Sequence, residues 1–295
     1  MLCSGRISGL AIEESASAGR LPVSAFIICQ NEEAYLGNCI ESLREFKDIV
    51  IVDSGSTDGT LDLVRSYMAH GWPIRLFSEK WRGYAGQKQF ALDQCREQWC
   101  FNVDSDERLD EALRAALPEL LATGDSIVGW RIARRPYLIG YGYTPANVHE
   151  RRNLRLIRRG RGRYDLDQKV HEGIVPDGPV GKAVKGSLLH FRPLVMDEQI
   201  LKENKYSTLK ADQKMTEGGP ARRLKLVLNP PVYFLRLYLR NGLWRCGLPG
   251  FIEAMTGAVY SFLTEAKIYQ RHALRTMPPT DDMGVRAEAH RNESR

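Results

Sequence analysis

Three carboxylates in two short turns are the groups in this chain best placed to do chemistry. Asp104 and Asp106, separated by Ser105, follow the apolar stretch 99–103, and Asp53 stands at the head of the upstream turn 52–60, which reads VDSGSTDGT. Both turns read as the ends of β-strands. Carboxylates at the carboxyl ends of parallel strands project into the crevice where open α/β sheets bind ligands. Their hard oxygens suit Mg²⁺ or Mn²⁺ holding a diphosphate. The chemistry this combination points to is transfer off the diphosphate of a nucleotide sugar.

For the two turns to meet, the elements before them must alternate. The apolar run 23–29 predicts a buried strand, and Leu36, Ile40 and Leu43 then fall on one helix face at four- and three-residue spacing. Residues 49–52 predict the next strand. Leu61, Val64 and Met68 share a helix face, 74–77 predicts a third strand, and 85–95 a further helix. Strands alternating with helices imply a parallel sheet. After Asp106 the alternation weakens: a helix over 111–121 gives way to Gly, Tyr, Pro and Arg segments with short strands at 127–132 and 154–157. This middle third is expected to shape the acceptor side. Helical patterns return after Met196 and are expected to be interrupted at Asn229-Pro230-Pro231.

The expected organisation is a flexible extension over 1–20, a catalytic domain over 21–195, a helical region over 196–277 and a flexible tail over 278–295. The catalytic domain divides into a nucleotide-sugar half (21–110) and an acceptor half (111–195). A chain of 295 residues with 43% hydrophobic content can bury a sizeable core. Forty-two Lys and Arg against 36 Asp and Glu leave a modest net charge of +6. The excess is unevenly spread, since 218–250 holds six basic residues and no acid. The six cysteines form no CxxC pair and no zinc spacing, which fits a reducing cytosol. No signal-peptide core and no run of roughly 18 apolar residues is present, so the chain is expected to be neither exported nor membrane-spanning.

Strand 25–29 ends in Gln30-Asn31-Glu32-Glu33, which places amide and carboxylate groups where a base or ribose can be hydrogen-bonded; ordinary helix N-terminal acids are the plainer reading. In the turn after Asp53, small residues, hydroxyls and glycines let the backbone approach a ligand closely. That turn is no EF-hand loop, because its third and fifth positions are Gly55 and Thr57.

The strand ending in Asn-Glu-Glu, the VDSGSTDGT turn, WRGYAGQKQFAL over 81–92 and FNVDSDERL over 101–109 occur in that order. In this the chain resembles the family 2 glycosyltransferases of GT-A fold. Within them it is most similar to the lipopolysaccharide core β-1,4-glucosyltransferases of the WaaE/KdtX type, which share the Trp-x-Gly-Tyr/Phe-x-x-Gln-Lys block and a later His-Glu. The resemblance implies an α/β fold with a mixed, mostly parallel sheet, flanking helices and a helical C-terminal extension. It implies an inverting transfer of a hexose, glucose in that subgroup, from a donor such as UDP-glucose to a saccharide of the lipopolysaccharide inner core, with Mg²⁺ or Mn²⁺ as cofactor.

Residue by residue, Asp53 resembles the acid that contacts the uracil, and Asp104 and Asp106 the DxD motif whose final Asp holds the metal. Asn31, Glu32, Gly83, Gln87 and Lys88 are expected against the donor. Inversion needs a base on the acceptor side, in line with the leaving group. Glu172, in Lys169-Val170-His171-Glu172, matches the His-Glu of the subgroup, with Asp165 and Asp167 close enough in sequence to compete. His190, after Leu188-Leu189, is a candidate third metal ligand or a hydrogen-bonded core residue.

Seven arginines between 151 and 163 suit an anionic acceptor or are solvated charges. Nucleic acid is not the expected partner, because no aromatics are interleaved with them for stacking. Residues 222–240, apolar with interspersed cations, either lie on an anionic bilayer or pack on the catalytic domain. The expected location is the cytoplasm, with peripheral contact at the cytoplasmic face of the inner membrane. Other readings are a glycosyltransferase of another cell-surface polysaccharide or glycolipid, and a degenerate carbohydrate-binding relative. A dehydrogenase fails for want of GxGxxG, and a processive synthase for want of membrane spans and Gln-x-x-Arg-Trp.

Overall fold

The computed structural model describes residues 19–124, 126–166, 173–217 and 223–276. The chain forms two compact units, Met1–Pro193 and Leu194–Arg295.

In the first unit β1 (Leu21–Cys29), α1 (Glu33–Ser42), β2 (Phe46–Asp53), α2 (Thr60–Ala69), β3 (Ile74–Ser78), α3 (Gly83–Asp93) and β4 (Trp99–Asn102) alternate strictly. The strands read as near-continuous apolar runs because both faces of the sheet are covered. On β1 and β2, Ile27, Ile49 and Ile51 point into the core under α1, α2 and the later helix at 111–121. Their neighbours Phe26, Val50 and Val52 point to the opposite core with Ala85, Ala91 and Leu92 of α3. All six strand residues are fully buried.

The rest of the unit is β5 (Glu107–Leu109), α4 (Glu111–Leu121), β6 (Gly129–Leu138), β7 (Gly142–Tyr143), β8 (Arg151–Arg158), β9 (Gly162–Tyr164), β10 (Ile174–Pro176) and β11 (Val180–His190). The sheet order is β3-β2-β1-β4-β8-β6-β11-β5, with β7 paired to β6. β3, β2, β1 and β4 are mutually parallel. β8 then runs antiparallel to β4 and to β6, β6 and β11 are parallel, and β5 closes the row antiparallel to β11. The parallel pairing is therefore concentrated in the first half, and the sheet as a whole is mixed.

That order explains how the DxD turn is held. β4 is central, its residues fully buried beside β1, and β5 pairs His190 with Glu107 across the sheet. The segment 104–106 is thereby strapped between the parallel half and β11. α4 begins directly after β5 with Asp110 as its cap, accepting from the Leu113 N–H at 2.7 Å.

In the second unit α5 (Met196–Thr216), α6 (Arg223–Leu235), a π-helical turn Arg236–Arg240, a short 3₁₀ turn Leu243–Cys246 and α7 (Gly247–Thr276) follow one another. The break expected at Pro230-Pro231 does not occur: α6 runs through both prolines and continues into the π turn. Each interior proline forfeits a hydrogen bond and costs about 3 kcal/mol, and packing of α6 along α7 offsets that loss. The wider π turn immediately after is where the register is reset. Among the described residues no helix is long and apolar enough to cross a membrane.

Candidate functional site

The loop after β1 and the acidic turn after β2 are laced together by side chains. Asn31, in the left-handed region at φ 56°, accepts the Thr57 N–H on Oδ1 at 2.8 Å, and its own N–H donates to Ser56 Oγ at 2.9 Å. The Glu32 N–H donates to Thr60 Oγ1 at 2.8 Å, and Glu33 Oε2 accepts the Gly59 N–H at 3.0 Å. A Cβ at Gly59 would collide with that carboxylate. Asp53 is buried, and its Oδ2 accepts the N–H groups of Gly55 and Ser56 at 2.8 and 3.0 Å. Ser56 Oγ donates to Asp53 Oδ1. Asp53 thus shapes the turn itself, with its carboxylate spent on two backbone N–H groups and the Ser56 hydroxyl of that turn.

Gly83 opens α3 at φ 78°, a conformation that favours glycine. Gln87, fully buried on that helix, donates to Ser54 Oγ at 3.0 Å and to the Glu79 carbonyl at 3.2 Å, so it ties α3 to the acidic turn. The next residue, Lys88, places its Nζ 2.9 Å from Asp104 Oδ1.

Around the DxD segment the charges are dense and mostly paired. Asp104 Oδ2 is 2.9 Å from Arg155 Nη2, so each of its oxygens faces a cation. Burial alone would push the Asp104 carboxyl up, but Arg155 and Lys88 outweigh it and hold the group well below the usual carboxylate range. Glu107, fully buried, receives Arg134 Nε at 2.7 Å and Arg155 Nη2 at 2.8 Å on Oε1 and the Asp104 N–H at 3.1 Å on Oε2. Burial raises its pKa, more than its two arginines lower it.

Asp106 is different. Its Oδ2 meets Arg192 Nε at 2.7 Å and His190 Nε2 at 3.2 Å. Burial raises its carboxyl, and the imidazole and guanidinium bring it below the ordinary value. Both contacts fall on one oxygen, and Asp106 lines an open cleft of about 240 Å³. Arg192 also holds Glu32 and lies over the ring of Tyr35, 4.8 Å from its centroid.

The far wall of the cleft is aromatic. Phe191, next to His190, packs on Tyr137 with centroids 4.8 Å apart, Tyr137 packs on Tyr143 at 5.3 Å, and Arg108 lies over Tyr143 at 5.4 Å. Tyr35 closes the cluster against Phe191. Such a wall suits the C–H faces of a sugar ring, with Arg108 and Asp106 to orient hydroxyl or anionic groups.

For a divalent cation, the chemistry of the donors fits at Asp106 and His190, a carboxylate and an imidazole within reach of each other. Among the described residues no three His, Cys, Asp or Glu side chains gather into a metal cage. Completing the shell with diphosphate oxygens and water is usual for Mg²⁺.

The structure thus brings Asp104, Asp106, Lys88, His190 and Glu32 into one charged network, and it places Asn31, Asp53, Gln87 and Gly83 in the loops and helix that border it. Glu172 and Asp167 lie outside the described residues, and Asp165 is half-buried just after β9. The arginine run does not form one anionic-acceptor patch. Arg155 is buried on Asp104 and Glu107, and Arg158 is buried over Trp99 with Nε on the Ile127 carbonyl. Arg152 pairs with Glu150 and Arg161 with Asp177. On β8, alternation sends Arg155 to the opposite face from Arg158, and Arg161 lies beyond the strand. Sequence reading passed over Glu107, Arg134, Arg192 and the aromatic wall. Glu107 adjoins Asp106 and was legible as a third acid of the same turn. Arg134, Tyr137 and Tyr143 come from β6 and β7, Phe191 and Arg192 directly follow β11, and only long-range pairing brings them to Tyr35 of α1.

Comparison with known proteins agrees with this geometry. The profile of Glycosyl transferase family 2 matches residues 24–173. The lipopolysaccharide core biosynthesis glycosyltransferase LpsC of Rhizobium meliloti is 76% identical over 263 residues, covering 89% of this chain and 97% of its own. A glycosyltransferase of Rickettsia felis is 25% identical over 264 residues, covering 83% of this chain and 89% of its own. Among solved structures, S. aureus TarS 1–349 aligns with 85% of this chain and 92% of its own at 14% identity and a TM-score of 0.45. With its acidic turns on strand ends of a mixed, helix-flanked sheet and its profile match across them, the chain belongs to glycosyltransferase family 2 and carries the GT-A fold.

Proposed function

We propose that this glycosyltransferase moves a hexose, glucose first among the candidates, from a nucleoside diphosphate sugar to a saccharide of the lipopolysaccharide core, with inversion at the anomeric carbon. The acceptor assignment is supported by the high identity, over nearly the whole of both chains, to a relative named for lipopolysaccharide core biosynthesis. A glycolipid acceptor would place the reaction at the cytoplasmic face of the inner membrane. The observation that carries the reading is the cleft in which Asp106, beside His190, faces an aromatic wall.

In this proposal the donor diphosphate lies against Asp106 and His190, which would hold a Mg²⁺ or Mn²⁺ ion. When bound, the ion neutralises the charge that grows on the departing diphosphate and so stabilises the transition state more than the ground state. Asp104 orients Lys88 toward the donor and is itself fixed by Arg155. Asn31, Asp53 and Gln87 hold the loops that border the nucleotide, with Glu32 steadying Arg192. The acceptor ring stacks on Tyr137, Tyr143 and Phe191, and a base takes the proton of its attacking hydroxyl. Glu172 is the proposed base, with Asp165 and Asp167 as the alternatives.

The test is to incubate the purified protein with a panel of nucleotide sugars, Mn²⁺ or Mg²⁺, and truncated core oligosaccharides, and to read the product anomer by NMR. The reading requires a product of inverted configuration that depends on the divalent ion. Binding of oligosaccharide without any transfer or donor hydrolysis would mean a carbohydrate-binding relative instead.

A further inference from the structure

α6 carries apolar side chains on two opposite sides. The inner side packs on α7: Tyr233 and Leu237 close over Gly257, where a Cβ would collide with Leu237, and Phe234 lies 5.5 Å from Phe251 between ring centroids. The outer side repeats Leu224, Leu228, Leu235 and Leu239 at the spacing of one helix face. That side is open to solvent, with Leu224 69% and Leu239 58% exposed. At the start of α7 the same thing happens again. Leu248, Ile252 and Met255 fall at i, i+4 and i+7 and are exposed, and Trp244 just before them is 55% exposed.

An ordinary surface scatters apolar residues singly, whereas continuous stripes on adjacent helices mark a partner. The charges name its kind. Arg223, Lys225, Arg236, Arg240 and Arg245 are all exposed among these apolar residues, and 218–250 contains no acid.

We propose that this surface of the second unit lies on a bilayer containing anionic lipid, with the apolar stripes in the acyl boundary and the five cations at the level of the phosphates. The helices lie on the membrane and do not cross it, consistent with the absence of a spanning helix among the described residues. A second copy of the chain is the poorer occupant, because a two-fold contact through this patch would set its arginines against their own counterparts. The inference does not rest on the acceptor assigned above, and vesicle binding is read without any substrate, so either reading can fail alone.

The experiment is flotation of the full chain with vesicles of phosphatidylcholine alone or with phosphatidylglycerol added, at low and at high salt. Wild-type protein is expected to float with the anionic vesicles at low salt and to lose most of that binding at high salt. The variant Leu224→Gln/Leu228→Gln/Leu239→Gln, altered only at exposed positions, is expected to melt as wild type and to stay at the bottom of the gradient. Arg236→Gln/Arg240→Gln should lower partitioning onto anionic vesicles by roughly tenfold to thirtyfold, as two surface cations are worth. Wild-type protein that does not float with anionic vesicles, or a triple variant that floats as well as wild type, overturns the proposal. So does a wild-type dimer in sedimentation that the triple variant converts to monomer without any vesicle binding by either.

Discussion

Replacing Arg155 by methionine removes the cation that serves both Asp104 and Glu107. Methionine keeps much of the side-chain length, so the packing loss is small and the electrostatic loss dominates. Glu107 is fully buried and would keep only Arg134, and Asp104 would keep only Lys88. Breaking a buried ion pair from one side costs about 3–5 kcal/mol. For a unit of this size that is a fall in melting temperature of about 6–20 °C. The pH dependence adds a second signature. In the native protein the Asp104 carboxyl is held low, so its contribution to stability is present above its unfolded pKa and lost as pH falls through the folded value. Loss of Arg155 shrinks that contribution. It also raises Glu107 further, and a raised carboxyl destabilises most at high pH and is relieved as it takes up a proton. The deficit of the variant is therefore larger at pH 8 than at pH 5.5, by up to about 1.4 kcal/mol for each pH unit below the pKa that Glu107 acquires. Guanidinium denaturation of both proteins at the two pH values measures it. A deficit under about 1 kcal/mol, or one that does not change with pH, would refute the network as described.

Other outcomes follow from the same structure. Gly186 sits at φ 74° with the Leu113 backbone where a Cβ would go, so Gly186→Ala should destabilise by about 3 kcal/mol or more, read by thermal melting. Arg75 is bonded bidentately to the buried Asp48, which also accepts from Ser24, and Arg75→Met should cost about 3 kcal/mol in chemical denaturation. If Glu172 is the base, Glu172→Gln retains donor affinity in calorimetry while transfer falls by about 10²–10⁴-fold. Undiminished transfer moves the role to Asp165 or Asp167.

Much of the first half of the fold was legible because its signals are local. The apolar runs of β1, β2 and β3 and the helix faces of α1 and α2 are fixed by short-range periodicity, and α4 spans the expected 111–121. β11 was not anticipated. Its sequence, VGKAVKGSLLH, interrupts its apolar residues with lysines and glycines, and it becomes a strand through pairing with β6 on one side and β5 on the other. His190, its last residue, was a candidate on residue type alone, but Phe191 and Arg192, which follow directly, were not. The arginine run failed as a single patch for a related reason, because the partners of Arg155 and Arg158 lie on β4, on β5 and in the segments before β5 and β6. The apparent break at Pro230-Pro231 was overruled by tertiary packing along α7, a force no local rule contains.

The role proposed for Asp106 is to serve the departure of a nucleoside diphosphate. It is tested most directly by turnover of the donor sugar in Mn²⁺, measured for wild type and for Asp106→Asn, with and without chelator. Chelator is expected to abolish wild-type turnover and the variant to lose about 10²–10³-fold in kcat, the scale of one preorganised charge at a reacting centre. Wild-type rates from Asp106→Asn in chelator-treated buffer would contradict it.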